Sequence, residues 1–165
     1  MLGTSSAEAL WLLIPALPLG LFVAWSDLAT MRIPNKVVLA TGGAFLIFGF
    51  IAFPFDVYIW RVAAIAVFYA IGAAVFAAGL VGGGDAKYTA AIAPYFAASD
   101  ISLVLILFSA MLLGAFVTHR IFARIPAIRR LTPDWASWEA GKKFPMGLAL
   151  SGTLIFYLLI ALIFG

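Results

Sequence analysis

The chain has 165 residues and no cysteine; 65% of the residues are hydrophobic, 10% are charged, and the mean hydropathy is +1.15. This composition excludes a water-soluble domain, a disordered chain, disulfides and cysteine nucleophiles, and it predicts an integral membrane protein. The net charge of +3 does not indicate nucleic-acid binding, because the basic residues flank apolar segments, where lipid headgroups attract them.

Apolar runs divide the chain into membrane segments, each of which needs about 20 residues to cross. Five runs are long enough, at 9–26, 37–55, 62–81, 101–118 and 147–164. No Lys or Arg precedes the first run, so we expect no cleavable signal; Pro15 and Pro18 are tolerated in a membrane helix and can kink it. A sixth run, 88–99, is shorter and contains Pro94, so by itself it fits a re-entrant segment or a buried, broken helix.

The distribution of Lys and Arg distinguishes five crossings from six, because basic residues accumulate in cytoplasmic loops. With six crossings, one face holds nine basic residues and the other holds only Arg61. If 88–99 does not cross, the division becomes three against seven. We therefore predict an all-α bundle of six transmembrane helices with both termini extracytoplasmic, in one domain of residues 1–165 with a basic cytoplasmic loop at 119–145.

Two aspartates, Asp27 and Asp85, lie at the ends of apolar segments and, with six crossings, on the same cytoplasmic face. A carboxylate beside hydrocarbon is costly and usually functional. The alternatives are a boundary residue paired with Arg32 for Asp27, and a helix cap for Asp85. Asp56 and Asp100 fall in short outer loops, where we expect solvated turn residues.

The stretch around Asp85 begins with three glycines, Gly82, Gly83 and Gly84. Glycine permits positive φ and close backbone approach by another chain, so a carboxylate here can meet an extended substrate. A phosphate cradle is excluded, because the Gly-Lys-Ser/Thr end of the Walker pattern is absent. Lys87 either lowers the pKa of Asp85, contacts the substrate, or marks the headgroup boundary.

Two nearby carboxylates share one proton, so one can take a proton from water while the other donates to a peptide carbonyl. This chemistry hydrolyses an amide without a metal or cofactor, and we expect neither. The competing functions are a small proton- or ion-coupled transporter component and a non-enzymatic assembly scaffold. A transporter would favour acids near mid-span and internal repeats, and the sequence has neither.

The loop 119–145 combines apolar and basic residues. Ile121, Ile125 and Ile128 recur at helical spacing among arginines, which predicts a short helix on an anionic lipid surface. We expect Thr132 to cap a second short helix that carries Trp135 and Trp138 and ends near Gly141. Lipid anchoring is the favoured role, and a cover over the aspartates or a substrate dock is the alternative. We interpret the only histidine, His119, as interfacial rather than catalytic.

Three motifs carry a resemblance over nearly the whole chain: Asp27 with the following Arg32-x-Ile-Pro34-Asn35, Gly82-x-Gly84-Asp85-x-Lys87, and Pro145-x-Gly147 at the last span. They resemble the type IV prepilin peptidases, particularly the small form that serves Flp-type pilus assembly. Presenilin-like proteases share Gly-x-Gly-Asp, but they place the partner aspartate in a Tyr-Asp pair within a later span.

The resemblance implies catalytic roles for Asp27 and Asp85 and substrate-binding or supporting roles for the other residues: Gly82, Gly83, Gly84, Lys87, Arg32, Pro34 and Asn35. It also implies a prepilin substrate, with a short basic leader and a long apolar helix, cut at the cytoplasmic face of the bacterial inner membrane. Larger relatives also methylate the product and carry a cysteine-rich domain after the first span. Here that interval, 27–36, contains no cysteine, which argues against methyltransferase activity. The oligomeric state is left open.

Overall fold

The computed structural model describes residues 2–141 and 143–165, and the regular elements in this part of the chain are helices. The α-helices are α1 Ser6–Thr30, α2 Asn35–Ala52, α3 Phe55–Ala77, α4 Gly83–Ile92, α5 Ile101–Phe122, α6 Pro126–Leu131 and α7 Met146–Phe164. Short 3-10 helices occur at Ala93–Tyr95, Ala98–Asp100 and Ala136–Glu139. The predicted all-α class is confirmed. Lys142, counted above among the basic residues, lies outside the described residues, as does Met1.

Within the described residues, five helical segments are long and apolar enough to cross a membrane: Ser6–Thr30, Asn35–Ala52, Phe55–Ala77, Ala98–Phe122 and Met146–Phe164. They correspond to the five long apolar runs, but their ends differ. α1 is one continuous helix that includes Pro15 and Pro18 and ends only at Thr30, so Asp27 lies inside its last turns. The prediction of Asp56 as a turn residue was wrong: it is exposed, but it lies in the first turn of α3, where the helix N-terminus favours an acid.

The segment predicted at 88–99 forms α4 and the 3-10 turn Ala93–Tyr95, which includes Pro94. It packs against α2, α3 and α7, and most of its side chains are buried. Its first turn lies beside Ile33, after α1, whereas the carbonyl of Tyr95 accepts a hydrogen bond from Arg61, near the start of α3. The segment is therefore a buried, broken helix that runs from one end of the bundle to the other.

These contacts define two ends of the bundle. The aspartate end holds Asp27, Asp85 and the start of α7, and the Arg61 end holds Gly3, Arg61, Tyr95 and Asp100. α1 and α7 form the centre, and α7 is the most buried of the long helices. α3 and α5 lie at the flanks and expose most of their apolar side chains, as expected of surfaces that face lipid.

A buried polar network closes the Arg61 end. Arg61 donates to the carbonyl of Gly3 at 3.0 Å and to the hydroxyl of Thr4 at 3.0 Å, and Tyr157 of α7 donates to Asp100 at 2.8 Å. Asp100 also accepts from the Gly3 N–H, and it is only 7% exposed. The prediction of Asp100 as a solvated turn residue was therefore wrong, because residues distant in the sequence fold over it.

We expect Tyr157→Phe to destabilise the protein, because it leaves Asp100 and the N–H of Ala97 without their buried partner. The cost is about 2 kcal/mol, which lowers the thermal midpoint in detergent by roughly 4–8 °C. Tyr69→Phe is the matched control, since Tyr69 is 56% exposed on α3. Equal midpoints for the two variants would contradict a stabilising network.

The basic loop folds differently from the prediction in several respects. Ile121 lies in α5 and Ile125 is the N-cap residue of α6, so the three isoleucines do not share one short helix. A short helix, α6, forms at Pro126–Leu131, but Thr132 ends this helix instead of opening the next, and its hydroxyl donates to the carbonyl of Ile128 at 2.9 Å. Trp135 caps the following 3-10 helix, Ala136–Glu139. Gly141 follows that helix with φ +63°, a conformation that favours glycine.

Candidate active site

Asp27 is buried where α1 meets the start of α7. Its side chain is 5% exposed, and its Oδ2 accepts a hydrogen bond of 2.6 Å from the backbone N–H of Gly147. Gly147 lies in the first turn of α7, where free N–H groups and the helix dipole favour negative charge. The predicted alternative partner, Arg32, has an exposed side chain. The hydrogen bond from Gly147 holds the Asp27 carboxylate in one position at the start of α7.

The backbone after Asp27 turns sharply, and side chains of α1 stabilise the turn. Ser26 donates to the carbonyl of Arg32 at 3.1 Å, and Met31 has φ 54°, in the left-handed region that few side chains adopt. The N–H of Met31 donates to the carbonyl of Asp27 at 2.9 Å. The turn therefore fixes both the end of α1 and the direction of the connection to α2.

Asp85 lies at the third position of α4, and Gly82 is the N-cap. Burial and, to a smaller extent, the charge of Asp27 raise the pKa of Asp85 to about 6, although a backbone hydrogen bond from Gly82 opposes them. Asp85 lies in the first turn of α4, where the simpler interpretation expected a capping acid, but the N-cap residue is Gly82. The charge of Asp27 also acts on Asp85. The two carboxylates lie at the same end of the bundle, and their charges are coupled.

The predicted supporting residues bring the two aspartate-bearing segments together. A Cβ added at Gly84 would lie 3.5 Å from the Cβ of Ile33, so the connection between α1 and α2 packs directly on the first turn of α4. Lys87 donates to the side chain of Asn35 at 3.3 Å. Pro34 is the N-cap residue of α2, and its carbonyl accepts from that helix's first turn.

The other two glycines of the stretch also have close neighbours. A Cβ added at Gly82 would lie 2.7 Å from Oδ2 of Asp85, and one at Gly83 would lie 3.3 Å from the ring of Phe76. Side chains there would displace the Asp85 carboxylate or the end of α3. The glycines therefore allow close packing within the chain itself, in addition to the approach of a substrate that the sequence predicts.

Gly147 was not among the predicted site residues, although its Pro-x-Gly context was part of the resemblance. A Cβ added at Gly147 would lie 2.9 Å from both Cβ and Oδ2 of Asp27. The glycine is thus needed for its small size as well as for its N–H. Only the contact between α1 and α7 reveals this role, because the two residues are 120 positions apart.

The loop packs onto the aspartate end. The 3-10 helix Ala136–Glu139 contacts α1, and Trp138 stacks on the ring of His119 with 4.8 Å between centroids. His119 is only 7% exposed because the loop covers its ring, and its position at the membrane interface stays a prediction. A cavity of about 400 Å³ beneath the loop is lined in part by Leu28, which follows Asp27. The loop therefore covers the protein next to Asp27, while lipid anchoring stays a prediction.

We expect the carboxyl of Asp85 to titrate near pH 6, which carbon-13 NMR of labelled aspartate can measure after assignment with Asp85→Asn. In Asp27→Asn the midpoint should fall, because a neighbouring negative charge is removed. It should stay above 3.8, since burial is the larger cause. Because the folded state keeps this proton between about pH 4 and pH 6 and the unfolded state loses it, Asp85 lowers stability as pH rises through this range.

An unchanged or higher midpoint in Asp27→Asn would show that the carboxylates do not interact. Asp56→Asn is the control, because Asp56 is exposed at the start of α3, at the opposite end of that helix from the glycine-rich stretch. It should leave the midpoint of Asp85 unchanged.

One protein family matches the chain. The type IV leader peptidase family model matches residues 11–119, a range that includes both aspartates and the glycine-rich stretch and ends before α7. No curated protein and no solved structure matches the chain.

Proposed function

Because the chain belongs to the type IV leader peptidase family, we propose that it is a membrane-embedded aspartic endopeptidase that removes the leader from Flp-type prepilins. Family membership supports a peptidase and a prepilin substrate. The observation that best supports an aspartic mechanism is the packing of Ile33, which follows α1, against Gly84 in the first turn of α4. This contact brings the segments of Asp27 and Asp85 to one end of the bundle.

The surroundings of the two carboxylates support different roles. Asp27 accepts the N–H of Gly147 at a helix N-terminus, which suits the ionised base, and Asp85, with its pKa near 6, suits the acid. Asp27 takes a proton from water, the water oxygen attacks the scissile carbonyl carbon, and Asp85 protonates the carbonyl oxygen. The C–N bond then breaks, the leaving nitrogen takes the proton from Asp27, and the hydroxyl formed from the carbonyl oxygen returns its proton to Asp85.

We propose that the protein lies in the bacterial inner membrane, crosses it six times and has both termini on the extracytoplasmic side. The buried, broken helix that includes α4 supports it, since this segment runs from the aspartate end to the Arg61 end. Arg32 and Lys87 are at the aspartate end with the basic loop, whereas Arg61 is at the other. The basic residues at the aspartate end support a cytoplasmic location for the two carboxylates, where a basic leader would be accessible.

The test is cleavage of a Flp-type precursor by the purified protein in liposomes. We expect one new product, whose N-terminus, read by mass spectrometry, is the start of the apolar helix. A product cut elsewhere, or an intact precursor after incubation with folded protein at several pH values between 5 and 8, would contradict the proposal. An inhibitor of metalloproteases serves as a control and should not affect cleavage.

A further inference from the structure

A long groove opens between α3 and α5. It has a volume of about 740 Å³, its walls are formed by α3 and α5, and α4 and α7 line its floor. Ala64 and Phe68 line it on α3, and Val104, Leu105 and Phe108 line it on α5. We call it the α3–α5 groove.

The α3–α5 groove is continuous with the aspartate end, because Asp85 is one of its lining residues. Arg61 lies at the other extreme, where it is held in the polar network. Val57 and Val75, both on the groove face of α3, lie about 18 residues apart. At about 1.5 Å per residue this is about 27 Å, close to the hydrocarbon thickness of about 30 Å. The groove can therefore accept one membrane-spanning helix along its length.

The residues that line the groove also indicate what kind of helix it can bind. Between Asp85 and Arg61 the described lining residues are uncharged, and small residues such as Ala86 of α4 and Ala93, which follows that helix, form part of the floor. Small residues let two helices approach closely in a membrane. A Cβ added at Gly72 would lie 3.1 Å from the carbonyl of Ala86, so α3 and α4 are in close contact at the floor of the groove.

We propose that the α3–α5 groove binds the apolar helix of the precursor, with the N-terminus of that helix at Asp85 and the helix extending towards Arg61. The inference rests on the proposed function, because the apolar helix belongs to the prepilin substrate. It makes Ala64, Phe68 and Leu105 specificity-determining residues, since they contact the helix and not the scissile bond. A charged residue in the middle of the helix would meet an uncharged lining and weaken binding.

The first experiment blocks the groove. Ala64→Trp fills its middle, whereas Ala66→Trp adds the same side chain to an exposed position of α3 that does not line the groove. We expect kcat/KM for a full-length precursor to fall roughly tenfold or more with Ala64→Trp and to be unchanged with Ala66→Trp. A precursor truncated after the first few residues of its helix should be cut equally by both variants, which separates blocking from misfolding.

The second experiment measures the register of the bound helix. The chain has no cysteine, so single cysteines replace Leu105 in the groove and, as the control, Ile106, which is 66% exposed outside it. In an Asp27→Asn background, which keeps the precursor intact, we expect disulfides from position 105 but not from 106. Cysteine at Val75 should pair with the start of the precursor helix, and cysteine at Val57 with positions about 18 residues later.

The results of these experiments distinguish a failure of the groove assignment from a failure of the proposed function. Cleavage by the wild type without crosslinks above the control overturns the groove assignment and leaves the peptidase intact. Crosslinks between two copies of the chain, or labelling of the groove by photoactivatable lipid that excess precursor does not displace, also overturn it. No cleavage by the wild type overturns the proposed function itself, because that measurement does not depend on the groove.

Discussion

Asp85→Asn and Asp27→Asn should each reduce kcat/KM for a Flp-type precursor by roughly a thousandfold or more. Asn has nearly the same shape as Asp, but its amide cannot act as the acid or the base. In the proposed mechanism, Asp85→Asn removes the proton donor to the carbonyl oxygen, and Asp27→Asn removes the group that takes the proton from water. Each variant keeps only one of the two carboxylates, so a proton can no longer be shared between them.

The measurement is precursor cleavage in liposomes at pH 5 to 8, with size-exclusion elution and the thermal midpoint as tests of folding. Asp56→Asn is the matched control, because Asp56 is exposed in the first turn of α3. It should keep full activity. Full processing by folded Asp27→Asn or Asp85→Asn would overturn the aspartic mechanism.

Gly147→Ala should reduce kcat by about tenfold to a hundredfold with a smaller change in KM. The added methyl group would lie 2.9 Å from Cβ and Oδ2 of Asp27, so the carboxylate must move. Movement lengthens its 2.6 Å hydrogen bond from the Gly147 N–H and changes its position relative to Asp85. The loss occurs although alanine by itself favours a helix over glycine by about 1 kcal/mol.

Gly114→Ala is the control for this substitution. Gly114 lies within α5, and a Cβ there would meet no atom within 4 Å. It should raise the thermal midpoint slightly and leave cleavage unchanged. If Gly147→Ala cleaves at the wild-type rate, Gly147 does not position Asp27.

The membrane class and the helices were predictable from the sequence, because hydropathy is a local property. Each long apolar run predicts one helix, since a backbone in lipid must satisfy its own hydrogen bonds. The distribution of basic residues along the chain also predicts that Asp27 and Asp85 lie at one end of the bundle. The packing of Ile33 on Gly84 and the effect of the Asp27 charge on Asp85 agree with that expectation.

The partners of buried polar groups were not predictable. Gly147 and Asp27 are 120 positions apart, and Gly3 and Asp100 are 97 apart, so no spacing in the sequence connects them. The local sequence of Asp100 is typical of a solvated turn and that of His119 is typical of a membrane interface, but α7 covers the first and the loop covers the second.

The sequence by itself determined the long apolar helices and the motifs that resemble the family, and it predicted that the two aspartates lie at one end of the bundle. These features depend on composition and order along the chain. Only the tertiary structure decided that Gly147 supports Asp27, that the Arg61 end is closed by a polar network, and that a groove leads from Asp85 between α3 and α5. These three features depend on which helices are neighbours. In a membrane, the fit of side-chain shapes decides which helices pack together, because lipid provides no hydrophobic driving force between apolar helices.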